Sequence, residues 1–146
     1  MILMGVIGCD RNTYYDKHYD VDERGWRQEE ALTFDVNIED TTQYYDLYVD
    51  VRNTIEYGYS NFFMFITTSF PNGNEAKDTL ECPMADEMGH WYGHHSGRLV
   101  DNRYVFHRKT CFPSRGVYRI SMRHGMRDSA VTGIKNIGFK MELSHR

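Results

Sequence analysis

The stretch Tyr44-Tyr-Asp-Leu-Tyr-Val-Asp-Val-Arg-Asn53 has the clearest pattern in this chain, and that pattern decides the fold class. Large apolar side chains occupy every second position, with acidic or tyrosyl side chains between them: Tyr45, Leu47, Val49 and Val51 alternate with Asp46, Tyr48 and Asp50. Successive side chains of a β-strand point to opposite faces. A period of two therefore predicts a strand with one face toward a core and the other toward water.

The same period recurs on both sides of this stretch. The further strands that it predicts contain Phe34, Val36 and Ile38; Phe63, Phe65 and Thr67; residues 79–82 and 104–108; Tyr118, Ile120 and Met122; and Ile137, Phe139, Met141 and Leu143. A helical period is nowhere convincing, and we expect at most a short helical turn around residues 122–129. These strands, punctuated by turn residues as in Pro71-Asn-Gly-Asn74, predict an all-β fold: one antiparallel, jelly-roll-like β-sandwich of about seven or eight strands.

Composition limits the function classes. The chain has 146 residues, enough for one domain, and aromatic residues make up 14% of it, so it can bury a sizeable core. Its formal net charge of −4 argues against a nucleic-acid partner, because phosphate binding needs a clustered basic surplus. No apolar run approaches the roughly 20 residues of a membrane-spanning helix.

The first residues are typical of a targeting segment. Residues 1–8 carry no polar side chain and are followed by Cys9 and then by polar residues. Val6-Ile-Gly-Cys9 resembles a bacterial lipobox, in which the cysteine thiol receives diacylglycerol. We therefore expect residues 1–8 to be the remainder of a signal peptide whose start lies upstream, residues 9–25 to be a lipidated Cys9 and a polar tether, and residues 26–146 to be the sandwich. The alternative is an edge strand or buried tail with an ordinary thiol at Cys9.

The remaining two cysteines leave an open question. With Cys9 lipidated, Cys82 and Cys111 could pair in an oxidising periplasm. The alternative is two reduced thiols that never meet, because the sequence does not give the distance between them.

The sequence contains no pattern typical of an enzyme. His90 and His94 have a metal-ligand spacing, but Gly89, Gly93 and Gly97 oppose the helix that this spacing requires. A loop metal site among His90, His94, His95, His107 and His124 stays an alternative. There is no Gly-x-Ser-x-Gly motif and no phosphate-binding glycine loop. We expect a non-enzymatic protein without metal, cofactor or small-molecule substrate.

A set of aromatic and polar residues could form a partner-binding or structural surface. Trp91, Tyr92, Tyr57 and Tyr59 could stack on sugar rings or on partner side chains, or pack as ordinary core residues. Arg52 and Arg127 could form charge pairs that either brace the fold or contact a partner. The full set of candidate residues is Arg52, Asn53, Tyr57, Tyr59, Asn61, Trp91, Tyr92 and Arg127.

Several segments together resemble the gliding motility lipoprotein GldH family of Bacteroidota. They are Phe34–Ile38, Tyr44–Asn53, Tyr57-Gly-Tyr-Ser-Asn-Phe-Phe63, Asp78-Thr-Leu80, Ala85-Asp86, Gly89-His-Trp-Tyr-Gly93, Phe112, Gly116–Ile120, Met126-Arg127 and Ile137-Gly-Phe139. The resemblance implies a lipid-anchored, periplasm-facing accessory of the gliding machinery, tied to type IX secretion, with other envelope proteins as partners and no established catalytic residues. In non-gliding members it implies a role in envelope assembly or secretion. Cys82 and Cys111 are not expected as hallmarks of this family.

Three hypotheses follow from the sequence. The first is an envelope scaffold, anchored at Cys9, whose sandwich binds partner proteins. The second is an envelope-anchored carbohydrate-binding module that uses Trp91, Tyr92, Tyr57 and Tyr59. The third is a metal-dependent hydrolase that uses the histidines between His90 and His107.

Overall fold

The computed structural model describes residues 12–144, and this range consists of strands and turns without a helix. Its eleven strands are β1 (Thr13–Asp20), β2 (Trp26–Arg27), β3 (Leu32–Ile38), β4 (Tyr44–Thr54), β5 (Asn61–Ser69), β6 (Glu75–Pro83), β7 (His94–Ser96), β8 (Leu99–Cys111), β9 (Gly116–His124), β10 (Ala130–Val131) and β11 (Ile134–Leu143). Among the described residues, no helix has the length and apolar character that crossing a membrane requires.

The strands form two facing antiparallel sheets and a short ribbon. The five-stranded sheet has the order β1-β11-β4-β8-β7, the four-stranded sheet has the order β3-β9-β5-β6, and β10 pairs with β2. The ring of Phe34 on β3 lies 6.0 Å from Phe139 on β11 and 5.1 Å from Tyr19 on β1. Aromatic side chains of the two sheets thus meet in a common core, which confirms the predicted all-β sandwich.

The alternation along β4 has the predicted direction. Tyr45, Leu47, Val49 and Val51 are all at most 3% exposed, and the residues between them face away from the core. The predicted inward faces of β9 and β11 are buried in the same way, as Tyr118 and Phe139 illustrate. One wet and one buried face per strand is the arrangement that a sandwich imposes.

The predicted direction of β5 is wrong. Phe62, Met64 and Ile66 are fully buried, whereas Phe63 is half-buried and Phe65 is 51% exposed. The run Phe62-Phe-Met-Phe-Ile66 is apolar at every position, so its sequence fits either face equally well. A shift of one residue turns the whole strand over, and the pairing of β5 with β9 and β6 selects the other face.

The expected tether and strand count also need correction. Residues 13–20 form the strand β1 and not part of a polar tether, because Tyr15 and Tyr19 face the core while Asp16 and His18 face outward along β11. Eleven strands replace the expected seven or eight, since β2, β7 and β10 are too short to show a period of two. The expected helical turn at residues 122–129 is absent because β9 continues to His124.

The two internal cysteines are free thiols, which is the second of the two alternatives that the sequence left open. Cys82 is fully buried on β6, where burial raises the pKa of its thiol to about 12. Cys111 is exposed at the end of β8, and its thiol donates to the Thr41 carbonyl at 3.0 Å. The two thiols therefore belong to different sheets and different environments. Cys9, the expected lipidation site, lies outside the described residues.

Candidate functional site

Three connections of the sandwich meet at one end of the molecule, which we call the loop end: residues 55–60, 84–93 and 125–133. The Ser60 carbonyl accepts from the backbone N–H groups of Met84 at 2.8 Å and Ala85 at 3.1 Å. The Thr54 N–H, at the end of β4, donates to the Gly133 carbonyl at 2.8 Å. Backbone hydrogen bonds thus hold the three connections together, and six of the eight predicted candidate residues lie on or beside them.

Tyr57 and Asn61 form the buried anchor of the loop end. Tyr57 is 4% exposed, and its hydroxyl donates to the Asn61 carbonyl at 2.7 Å. Burial raises the pKa of the Tyr57 phenol above its usual range. Gly133 has a φ of +91°, and a Cβ built on it would lie 2.7 Å from the Tyr57 Cα. Tyr57 therefore braces the fold and offers no free ring to a ligand.

Tyr59 and Arg127 lie together on an open pocket of about 300 Å³, lined by Tyr59, Phe63, Gly125, Met126, Arg127 and Asp128. Tyr59 is 44% exposed, and its hydroxyl lies 3.0 Å from both carboxylate oxygens of Asp128. This hydrogen bond raises the pKa of Tyr59. Arg127 is exposed and has no ion-pair partner within residues 12–144. Sequence reasoning did not include Phe63 and Met126, because β5 was expected to turn Phe63 inward.

Trp91 and Tyr92 occupy the neighbouring connection but differ in exposure. Trp91 forms an isolated β-bridge with Ala85 and packs half-buried against the core. Tyr92 is 63% exposed, and its backbone N–H donates to the Met84 carbonyl at 2.9 Å. Of the four aromatic residues expected as sugar-stacking platforms, Tyr57 and Trp91 are therefore committed to packing, which weakens the carbohydrate-binding hypothesis.

Arg52 and Asn53 lie at the end of β4 and have different roles. The Arg52 guanidinium donates to the Asp101 carboxylate at 2.6 Å, and both side chains are about 40% exposed. Asn53 is fully buried, and its side-chain oxygen accepts from the Asn102 amide at 2.9 Å. That same Asn102 amide donates to the Val51 carbonyl at 2.9 Å. Arg52 thus makes a surface ion pair, while Asn53 belongs to a buried amide network.

Within residues 12–144, the histidines of the alternative metal site do not converge on one point. His94 and His95 are exposed on β7, and His107 lies on β8, whereas His124 is 2% exposed with its ring edge-on to Trp26. Burial lowers the pKa of His124 and so favours its neutral form.

A different group, on the outer face of the five-stranded sheet, has ligand atoms within 4.8 Å of one another: Asp16, His18 and Asp50. Arg103 donates to both Asp50 oxygens, at 2.7 and 3.0 Å. A cation bound there would have to compete with this guanidinium for Asp50. The sequence did not point to this group because His18 was expected in the tether.

Comparisons with known proteins agree with the sequence segments quoted above. The family model for the GldH lipoprotein matches residues 13–141. A gliding motility lipoprotein GldH homolog of Christiangramia forsetii is 30% identical over 93% of this chain and 87% of its own length. The gliding motility lipoprotein GldH of Flavobacterium johnsoniae is 26% identical over 94% of this chain and 89% of its own length. Neither relative is named as an enzyme.

Solved structures add little to this comparison. An arabinose-bound α-L-arabinofuranosidase aligns with 86% of this chain and 18% of its own, at 11% identity and a TM-score of 0.41. A likeness this low bears on neither fold nor function. The family model covers nearly all of the described sandwich, and the two relatives align over almost the whole chain. The chain belongs to the GldH lipoprotein family.

Proposed function

We propose that this protein is a lipid-anchored, non-enzymatic accessory of the gliding motility machinery, linked to type IX secretion and to assembly of the cell envelope. The observation that carries the proposal is the family match over residues 13–141, together with relatives named as gliding motility lipoproteins. Cys9 is the proposed site of acylation, and the sandwich faces the periplasm.

The described residues support a binding role over a catalytic one. The pocket at the loop end is open, with Tyr59, Phe63 and Met126 on its wall. Its carboxylate, Asp128, accepts a hydrogen bond from the Tyr59 hydroxyl. A general acid or base would need a titratable group that is free to reach a substrate. An apolar wall beside an unpaired cation is more typical of protein recognition.

The absence of a long tether changes how the anchor acts. β1 begins at Thr13, four positions after Cys9 in the sequence. A chain of that length extends at most about 14 Å. The proposed anchor therefore holds the sandwich near the membrane surface. The length of the sandwich, and not that of a flexible linker, then sets how far from the membrane the protein can contact a partner.

The proposal is tested by deleting the gene in its own host and restoring it as wild type, as Cys9→Ala or as Cys111→Ala. Colony spreading and the amount of type IX cargo in the medium are the readouts. We expect the deletion to impair spreading, cargo secretion or both, with rescue by wild type and by Cys111→Ala but not by Cys9→Ala. An unimpaired deletion strain contradicts the role in gliding and secretion. Full rescue by Cys9→Ala contradicts the need for the anchor.

A further inference from the structure

An exposed aromatic patch continues from the loop-end pocket onto the outer face of the four-stranded sheet. Phe65 is 51% exposed, and its ring rests on Gly125, where an added Cβ would lie 3.0 Å from the ring. Phe65 faces Arg123 in the β5–β9 register. We call the surface formed by Tyr59, Phe63, Phe65, Met126, Arg123 and Arg127 the β5–β9 patch. Phe65, Phe63 and the pocket form a contiguous apolar surface, which is more typical of an interaction site than a single exposed side chain is.

The two arginines of the patch differ from most others in the molecule. Six arginines pair with a carboxylate: Arg24, Arg27, Arg52, Arg98, Arg103 and Arg119. Arg123 and Arg127 are exposed, and neither has an ion-pair partner in the part of the chain that the structure describes. The nearby Asp128 already accepts the Tyr59 hydroxyl. Asp128 and Glu81, which faces Phe63 in the β5–β6 register, also border the patch, but neither forms an ion pair with Arg123 or Arg127 in the described residues. Both guanidinium groups are therefore available to carboxylates of a partner.

The patch lies in the half of the sandwich remote from the start of β1. Thr13 pairs with Glu142, and β4 begins beside the same end at Tyr44. β4 then runs for 11 residues to Thr54 at the loop end, a distance of about 33 Å at 3.3 Å per residue. Phe63 is the third and Phe65 the fifth of the nine residues of β5, which follows the connection at residues 55–60. A chain anchored just before Thr13 would therefore present the patch away from the membrane.

We infer that the β5–β9 patch docks a segment of a partner envelope protein that combines an apolar side chain with acidic side chains. The apolar side chain would fill the pocket between Tyr59 and Met126 and contact Phe65. The carboxylates would pair with Arg123 and Arg127. The remote position of the patch favours a protein over anionic lipid, which carries the same negative charge. This inference rests on the proposed function and names the surface through which the accessory recognises its partner.

The inference is tested by photocrosslinking in the native host. Benzoylphenylalanine replaces Phe65 in the full-length chain, and in a matched control it replaces Val117, which is 54% exposed on the same face but near the opposite end of β9. We expect irradiation to link position 65, and not position 117, to one discrete protein. The linked peptide should contain Asp or Glu beside an apolar residue.

Charge reversal at the two arginines is the second test of the inference. Arg123→Glu and Arg127→Glu together should lower the yield of the adduct at least about tenfold, since like charges across an interface are strongly unfavourable. Arg108→Glu, a reversal at an exposed arginine on β8 of the other sheet, should leave the yield unchanged. Melting temperatures of the purified variants verify that each one is folded. Restoration of the adduct when the partner's acidic residues are changed to lysine would give the strongest support.

Other outcomes overturn the inference: no adduct from position 65, an adduct with lipid alone, an adduct with a second copy of this chain, or an adduct that charge reversal leaves intact. The test is separable from that of the proposed function. If the gene deletion impairs gliding or secretion but position 65 forms no adduct, the patch is wrong and the function stands. If the adduct forms but the deletion has no phenotype, the docking surface stands and the function is wrong.

Discussion

The close approach of Gly133 to Tyr57 predicts that Gly133→Ala strongly destabilises the loop end. Gly133 has a φ of +91°, and an alanine Cβ would lie 2.7 Å from the Tyr57 Cα and 3.0 Å from its Cβ. Holding a non-glycine residue in this conformation costs about 1–3 kcal/mol, and overpacking against backbone adds about 1–3 kcal/mol. We therefore expect a loss of about 2–6 kcal/mol in the free energy of unfolding.

Two other glycines separate these contributions. Gly73 has a nearly identical φ of +92° but nothing within 4 Å of the added Cβ, so Gly73→Ala measures the conformational strain alone. Gly58 has neither a positive φ nor a close neighbour, and Gly58→Ala should leave stability unchanged or raise it by up to about 1 kcal/mol. The difference between the Gly133 and Gly73 variants then gives the contribution of the contact with Tyr57.

The assay is urea unfolding of the full chain, followed by the fluorescence of its two tryptophans, Trp26 and Trp91. Trp26 is 2% exposed and should report the opening of the core, and the half-buried Trp91 should report changes in the connection at residues 84–93. Thermal unfolding should agree, with a drop of about 4–24 °C in melting temperature for Gly133→Ala, because 1 kcal/mol corresponds to about 2–4 °C in a protein of this size. A loss below about 1 kcal/mol, or a loss no larger than that of Gly73→Ala, would refute the reasoning. Tyr57 would then not be held by the approach of Gly133.

Three further predictions concern the buried network, the buried histidine and the thiols. Asn102→Ala should cost about 2–4 kcal/mol because it removes the amide that donates to the Val51 carbonyl and to the Asn53 side chain in a buried site. Arg52→Ala, which breaks a half-exposed ion pair, should cost less than about 1 kcal/mol in the same urea titration. Burial lowers the pKa of His124, so the unfolded state binds more protons than the folded state as the pH falls below about 6.5. The free energy of unfolding should therefore be lower at pH 5 than at pH 7.5. His124→Gln should reduce this difference. A maleimide should label Cys111 in the folded protein and Cys82 only after denaturation, and equal labelling under native conditions would contradict the burial of Cys82.

The contrast between β4 and β5 shows what the sequence can and cannot predict about this fold. Along β4, acidic residues mark the wet face, so the burial of Val49 and Val51 follows from the pattern alone. Along β5, both faces are apolar, and only pairing with β9 determines that Met64 points inward and Phe65 outward. β1 was not predicted for a different reason. Its core-facing residues, Tyr15 and Tyr19, carry polar hydroxyl groups, so the segment has the composition of a polar tether.

Of the six residues of the β5–β9 patch, sequence reasoning named only Tyr59 and Arg127 as candidate site residues. Aromatic residues of the connections, such as Tyr59 and Tyr92, are exposed at the loop end, as a partner surface requires. The sequence could not place Phe65 and Arg123 in the same surface, because the contact between these two residues depends on the β5–β9 register. The sequence left the pairing of Cys82 and Cys111 open because spacing carries no information about which sheet a residue joins.

The central claim is that this protein acts from a lipid anchor, and the most direct test is labelled-palmitate incorporation with membrane fractionation. The natural full-length gene product is compared with Cys9→Ala and, as a matched control, Cys111→Ala. The account predicts that wild type and Cys111→Ala carry the label and stay in the membrane fraction, while Cys9→Ala loses both. An unlabelled wild-type protein in the soluble fraction would contradict the account.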